Sequence, residues 1–101
     1  REDFLKVNGF SNEYWGWGAE DDDLYTRCQQ EGLGFARRLC RYTCLPHDGQ
    51  SRDNYSTNCE IWRQQREEHE RHKRDGISTL QYLLIGKQSI ANNAMKYTVA
   101  I

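Results

Sequence analysis

The sequence predicts a small mixed α/β domain: two helices and a few short strands, ending in an antiparallel pair. Three observations predict it. The acids Glu20-Asp21-Asp22-Asp23 open a stretch in which Leu24 and Cys28 fall four apart, and which stops at Gly32. A second stretch, Glu60 to Arg74, is almost wholly charged behind Ile61 and Trp62. The chain then closes on two segments of alternating side chains, 80–85 and 95–101. The first two patterns have the spacing of helices, the last that of strands.

Taken in order, Phe4, Leu5, Val7 and Phe10 form an apolar approach that should be buried, with a turn signal at Asn8-Gly9. Trp15 and Trp17 follow on Gly16 and Gly18, residues free to take backbone angles closed to others, so the segment can bend or move as a flap. The first helix spans Glu20 to Glu31, its acids placed where they complement the positive end of the helix dipole. Glu20, Asp21 and Asp23 should project from that end, beside the tryptophans. Consecutive acids on a helix diverge, so the cluster does not suit a single calcium ion.

Leu33 to Leu39 reads as a short strand, and Pro46 and Gly49 impose an irregular course around His47. Gln50 to Asn58 reads as a polar loop. In the second helix, Glu67 with Arg71 and Glu70 with Arg74 are favourable i,i+4 pairs, and His69 and His72 belong to a solvated face. Asp75-Gly76 ends it. Gly86 to Asn93 should connect the two closing strands.

Composition narrows the partners. With 101 residues, 37% hydrophobic and 29% charged, the chain can bury only a small core. A net charge of −1 gives no reason to expect nucleic acid. No apolar run is long enough to span a bilayer. The opening residues REDFLKVNGF lack the apolar core of a signal peptide, so any address or membrane anchor is expected outside this chain. Four cysteines and an Asn54-Tyr55-Ser56 glycosylation sequon agree with a secretory compartment.

The stretch Asn8 to Asp23 carries the functional signal. Aromatic faces beside carboxylates suit sugars, whose rings pair apolar C–H faces with hydroxyl rims. The run Asn8-Gly9-Phe10, Asn12, Tyr14-Trp15-Gly16-Trp17-Gly18 and Glu20-Asp21-Asp22-Asp23 resembles the hallmark of β-1,4-galactosyltransferases. His47 and the run from Asp75 to Tyr82 resemble the same family at compatible spacing.

The resemblance implies the C-terminal portion of a GT-A type glycosyltransferase domain, a hexosyltransferase that moves galactose from UDP-galactose with inversion. The acceptor would be the 4-hydroxyl of a terminal N-acetylglucosamine, glucose or xylose, on a glycan, glycoprotein or glycolipid. It implies Asp21 as general base, and Glu20, Asp22, Trp17 and Trp62 at the acceptor. Trp15, Gly16, Trp17 and Gly18 would form the donor flap, and His47 and Cys44 would bind Mn²⁺. The family's upstream, nucleotide-binding half with its Asp-x-Asp motif is absent, so residues 1–101 form one domain portion that should be inactive alone. The compartment implied is the Golgi lumen or secretory pathway. Two other readings stay open: a non-catalytic carbohydrate-binding module, or an interaction module stabilised by disulfides or by a zinc on Cys40, Cys44 and His47.

Overall fold

A computed structural model of the chain describes every residue except His47 and Gln50. The order of elements is α1 (Glu2–Lys6), α2 (Glu20–Gln30), α3 (Tyr55–Glu67), two short 3-10 turns (Arg71–Arg74 and Ile77–Thr79), then β1 (Leu83–Ala91) and β2 (Ala94–Ala100). The mixed α/β class and the closing antiparallel pair are as the sequence predicts. Residues 33–39 form no strand, and the described residues between α2 and α3 belong to no regular element. Phe35 stacks on Tyr25 of α2 with ring centroids 4.5 Å apart, which ties this segment to the helix by a side chain.

Apolar burial is slight. Among the described residues, Val7 and Ala19 are the buried hydrophobic side chains, while Phe4, Leu5 and Phe10 of the expected apolar approach are exposed. Polar groups hold the fold instead. Arg27 is 2% exposed and donates from Nε to Asp23 at 2.6 Å and from Nη2 to Asp75 at 2.9 Å. Its Nη1 reaches the carbonyl oxygens of Asp75 at 2.7 Å and Gly9 at 3.3 Å. One guanidinium therefore joins α2 to the Asn8-Gly9 turn and to the Asp75-Gly76 corner.

The same corner is bound from the other side. The Asn8 amide donates to the His72 carbonyl at 2.9 Å and to Ser78 Oγ at 2.8 Å, and its Oδ1 accepts from the Ser78 N–H at 2.9 Å. Asn12 donates to the Gly76 carbonyl and to Thr79 Oγ1.

The second helix is displaced from its expected span. It starts at Tyr55, inside the expected polar loop, and stops at Glu67. Glu70 takes a left-handed φ of +66°. The expected i,i+4 pairs are not formed: Glu68 pairs with Arg71 and Arg74, and Glu70 pairs with Lys73. The reason is His72. It is buried, with Nδ1 3.1 Å from Gln30 Oε1 and Nε2 2.8 Å from Glu31 Oε1, at the end of α2. A continuous helix would carry this ring around its axis, so the chain unwinds to seat it. His69 is exposed, as expected.

The hydrogen bond from His72, opposed by partial burial, holds the Glu31 carboxyl below its ordinary range. A depressed folded pKa contributes stability above the unfolded value, near about 4.3, and that stability is lost as pH falls through the folded value. Glu31→Gln is therefore expected to flatten the fall in urea midpoint between about pH 5 and about pH 3. Parallel curves for the variant and the parent chain would remove Glu31 from this role.

The closing hairpin pairs Leu83 with Ala100, Lys87 with Tyr97 and Ala91 with Ala94, and turns at Asn92-Asn93. Residues 86–91, expected as connector, belong to β1. Asparagine is favoured in tight turns, so the shorter turn at Asn92-Asn93 and the longer strands win. Leu83, Leu84 and Ile85 are all at least half exposed, so both faces of the hairpin present apolar side chains.

Candidate functional site

The tryptophan segment packs across the start of α3. Gly16, Gly18 and Ala19 have φ values of +74°, +112° and +69°, so the chain turns through left-handed angles just before α2 begins. Glycine is required at position 18 by contact as well as by angle: a Cβ there would lie 2.7 Å from the Tyr55 ring. The Trp17 ring rests on Tyr55, with centroids 5.3 Å apart, and the Arg52 guanidinium lies 4.7 Å from the Trp17 ring centroid. Asn58, 2% exposed, donates from Nδ2 to the carbonyls of Trp15 at 3.1 Å and Trp17 at 3.3 Å. The expected flap is thus held in this structure by one buried amide.

Trp17, Tyr55, Glu20, Asp21 and Asp22 surround an open recess of about 200 Å³, with the backbone of Gly18 and Ala19 on one wall. Glu20 accepts a hydrogen bond from the Gly18 N–H at 3.0 Å, which fixes one carboxylate oxygen toward the flap. Asp21 is exposed and accepts from the Asp22 N–H at 3.1 Å. Asp23 does not share this surface. It is 4% exposed, faces Arg27, and is pushed upward in pKa by burial against the opposing guanidinium. The expected projection of Asp23 beside the tryptophans is therefore corrected: its position, one turn from Arg27, makes it a structural acid.

Trp15 is 60% exposed and lines a different recess of about 400 Å³, together with Tyr14, Asn12, Leu80 and Ile101. Burial, with the Asp23 carboxylate adding to it, raises the Tyr14 phenol above its ordinary range, so it stays protonated and donates to Gln65. Trp62 stands between α2 and α3, where its Nε1 donates to Thr26 Oγ1 at 3.3 Å and Arg66 covers its ring. It lies outside the lining of the Trp17 recess.

Of the two expected metal ligands, His47 lies outside the described residues, and Cys44 is an exposed free thiol. Among the described residues no three His, Cys, Asp or Glu side chains converge on a point that could hold a metal ion. Cys28, Cys40 and Cys59 are free thiols as well, and burial pushes Cys28 upward in pKa. No helix among the described residues is long and apolar enough to cross a membrane.

Tyr55 and Asn58 are the site residues that sequence reasoning missed. Their only signal was proximity to Trp62, which follows them by seven and four residues respectively on a helix whose start was placed too late.

A family model described as the N-terminal domain of galactosyltransferase matches residues 1–48, the part that holds the flap, the acids and Cys44. That match sets the chain among glycosyltransferase sequences. Over 96 residues it is 38% identical to β-1,4-galactosyltransferase 2 of Homo sapiens, covering 89% of this chain and 25% of the relative. It is 35% identical over 94 residues to β-1,4-galactosyltransferase 5 of Danio rerio, covering 89% of this chain and 24% of the relative. With β-1,4-galactosyltransferase 4 of Homo sapiens it shares 35% over 105 residues, covering 100% of this chain and 29% of the relative. The chain is similar to β-1,4-galactosyltransferases over most of its own length, and spans about a quarter of the length of these relatives.

Proposed function

We propose that this chain is the acceptor-side, C-terminal portion of a β-1,4-galactosyltransferase catalytic domain, in a longer protein that transfers galactose from UDP-galactose. The acceptor is the 4-hydroxyl of a terminal N-acetylglucosamine, glucose or xylose, and the setting is the Golgi lumen or secretory pathway. This places the chain after a nucleotide-binding half, although the matching family model carries the description of an N-terminal domain. Two features support an incomplete domain. The hairpin is apolar on both faces, as a strand pair covered on both sides would be, and two strands alone are marginal. The recess beside Asp21, at about 200 Å³, is also smaller than a full ligand site.

The observation that carries the reading is the grouping of Asp21, Glu20 and Asp22 with Trp17 around one recess. In this reading Asp21 accepts the proton of the acceptor hydroxyl while that oxygen attacks the anomeric carbon and the bond to UDP breaks on the opposite face. Glu20 and Asp22 hold neighbouring hydroxyls, and Trp17 packs on the sugar. Trp62, which bonds Thr26 outside the recess lining, would meet the acceptor beyond the first sugar. The Trp15–Gly18 segment closes over the donor and keeps water from the activated sugar. Mn²⁺ would offset the charge on the departing diphosphate. Of the two residues expected to hold it, Cys44 is an exposed free thiol.

Asp21→Asn in the longer protein tests the base. Turnover is expected to fall by about 10²–10⁴-fold with acceptor binding retained. Unchanged turnover would remove Asp21 from that role. The isolated chain is expected to transfer no galactose, and measurable transfer by it would refute the division into two halves.

A further inference from the structure

The sequon Asn54-Tyr55-Ser56 has no part in the transfer chemistry, yet the fold sets it against the flap. Asn54 occupies the N-cap position of α3 and makes no side-chain capping bond there. Asn54 and Ser56 are both exposed, as are residues 51–53 before them. Between them, Tyr55 turns its ring onto Trp17 and lines the recess that Asp21 borders. The Asn54 Nδ2 lies so near the flap that a Cβ on Gly16 would stand 3.1 Å from it.

We propose that Asn54 is an N-glycosylation acceptor and that its glycan stands at the rim of the Trp17–Tyr55 recess, shielding the tryptophan segment. The proposal rests on the secretory setting given above. The donor is an oligosaccharide carried on a lipid diphosphate. A bond forms between Asn54 Nδ2 and the anomeric carbon of the first sugar. The bond from that carbon to the diphosphate oxygen breaks, the lipid diphosphate leaves with the electron pair, and the amide nitrogen gives up one of its two protons. The exposed Ser56 supplies the hydroxyl that the sequon requires two residues on. Because the modified nitrogen sits against Gly16, a side chain at that position would compete with the first sugar for the same space.

The test is to direct the full natural chain through the secretory pathway of cultured cells with an added leader, then treat it with peptide-N-glycosidase F. The expected result is loss of one glycan mass, with position 54 reading as aspartate in the peptide map. Asn54→Gln and Ser56→Ala should each abolish that loss. Removing the glycan from the folded protein should also increase acrylamide quenching of its tryptophan fluorescence, and Asn54→Gln should match the treated protein. An unmodified Asn54 after forced secretion overturns the proposal and leaves the galactosyltransferase reading standing. Equal quenching before and after treatment overturns the placement of the glycan at the recess. A longer protein, nucleotide-binding half included, that carries the glycan but transfers no sugar supports this proposal while refuting the transferase reading.

Discussion

Arg27→Met is expected to unfold this chain at neutral pH. Among the described residues the guanidinium is the single cation paired with the Asp23 and Asp75 carboxylates, at 2.6 and 2.9 Å, in a cluster where Arg27 is 2%, Asp23 4% and Asp75 8% exposed. Removing one partner of a buried ion pair costs about 3–5 kcal/mol, because the remaining charge keeps its desolvation penalty and loses its compensation. Here two carboxylates lose their partner together, and two backbone carbonyls lose a donor. Few apolar contacts offset the loss, since Val7 and Ala19 are the buried hydrophobic residues among those described. Circular dichroism should show the helical signal lost at neutral pH and partly regained on acidification, as protonation relieves the unpaired acids. An unchanged thermal midpoint would show that the cluster does not hold α2 to the Asp75 corner.

Gly76→Ala should have an effect of the same order by a steric route. Gly76 has a φ of +145°, and a Cβ on it would lie 1.9 Å from the Asn8 carbonyl oxygen. That oxygen accepts the Ile77 N–H at 2.8 Å and belongs to the main chain, so it cannot rotate away as a side chain would. The disfavoured backbone region alone costs about 1–3 kcal/mol. Relieving the overlap also pulls the Asn8 turn from residues 77–78, breaking the bonds that fix both. Hydrogen exchange reads this directly: the Ile77 and Ser78 amides, which donate to Asn8, should lose protection first. Full protection of both amides in the variant would refute the close approach.

The two variants act on one corner, and that corner explains why the site was only partly legible. The acidic opening of α2 and the glycine-flanked tryptophans could be read directly, because helix starts and turn residues are local chemistry. The role of Asp23 could not. Four adjacent acids look alike in sequence, and only the position of Arg27 one turn later, with Asp75 brought alongside, turns the fourth one inward. His72 was hidden for the same reason. Set among Glu70, Arg71 and Lys73 it reads as part of a solvated face, but Gln30 and Glu31 arrive from another helix to receive it. The early start of α3 likewise depends on a distant partner. Ser51 to Asn58 has no apolar spacing of its own, and its helical turn is held by Tyr55 on Trp17 and by Asn58 on two flap carbonyls.

By itself the sequence determined the mixed class, the acid-led helix, the bend at the tryptophans, the closing hairpin and the family resemblance, since each rests on residues close together along the chain. Tertiary structure alone decided which acid faces the recess and which is buried, where the charged helix starts and breaks, and which amide pins the flap. Those outcomes depend on desolvation and hydrogen-bond partners tens of residues away, and local spacing carries no record of them.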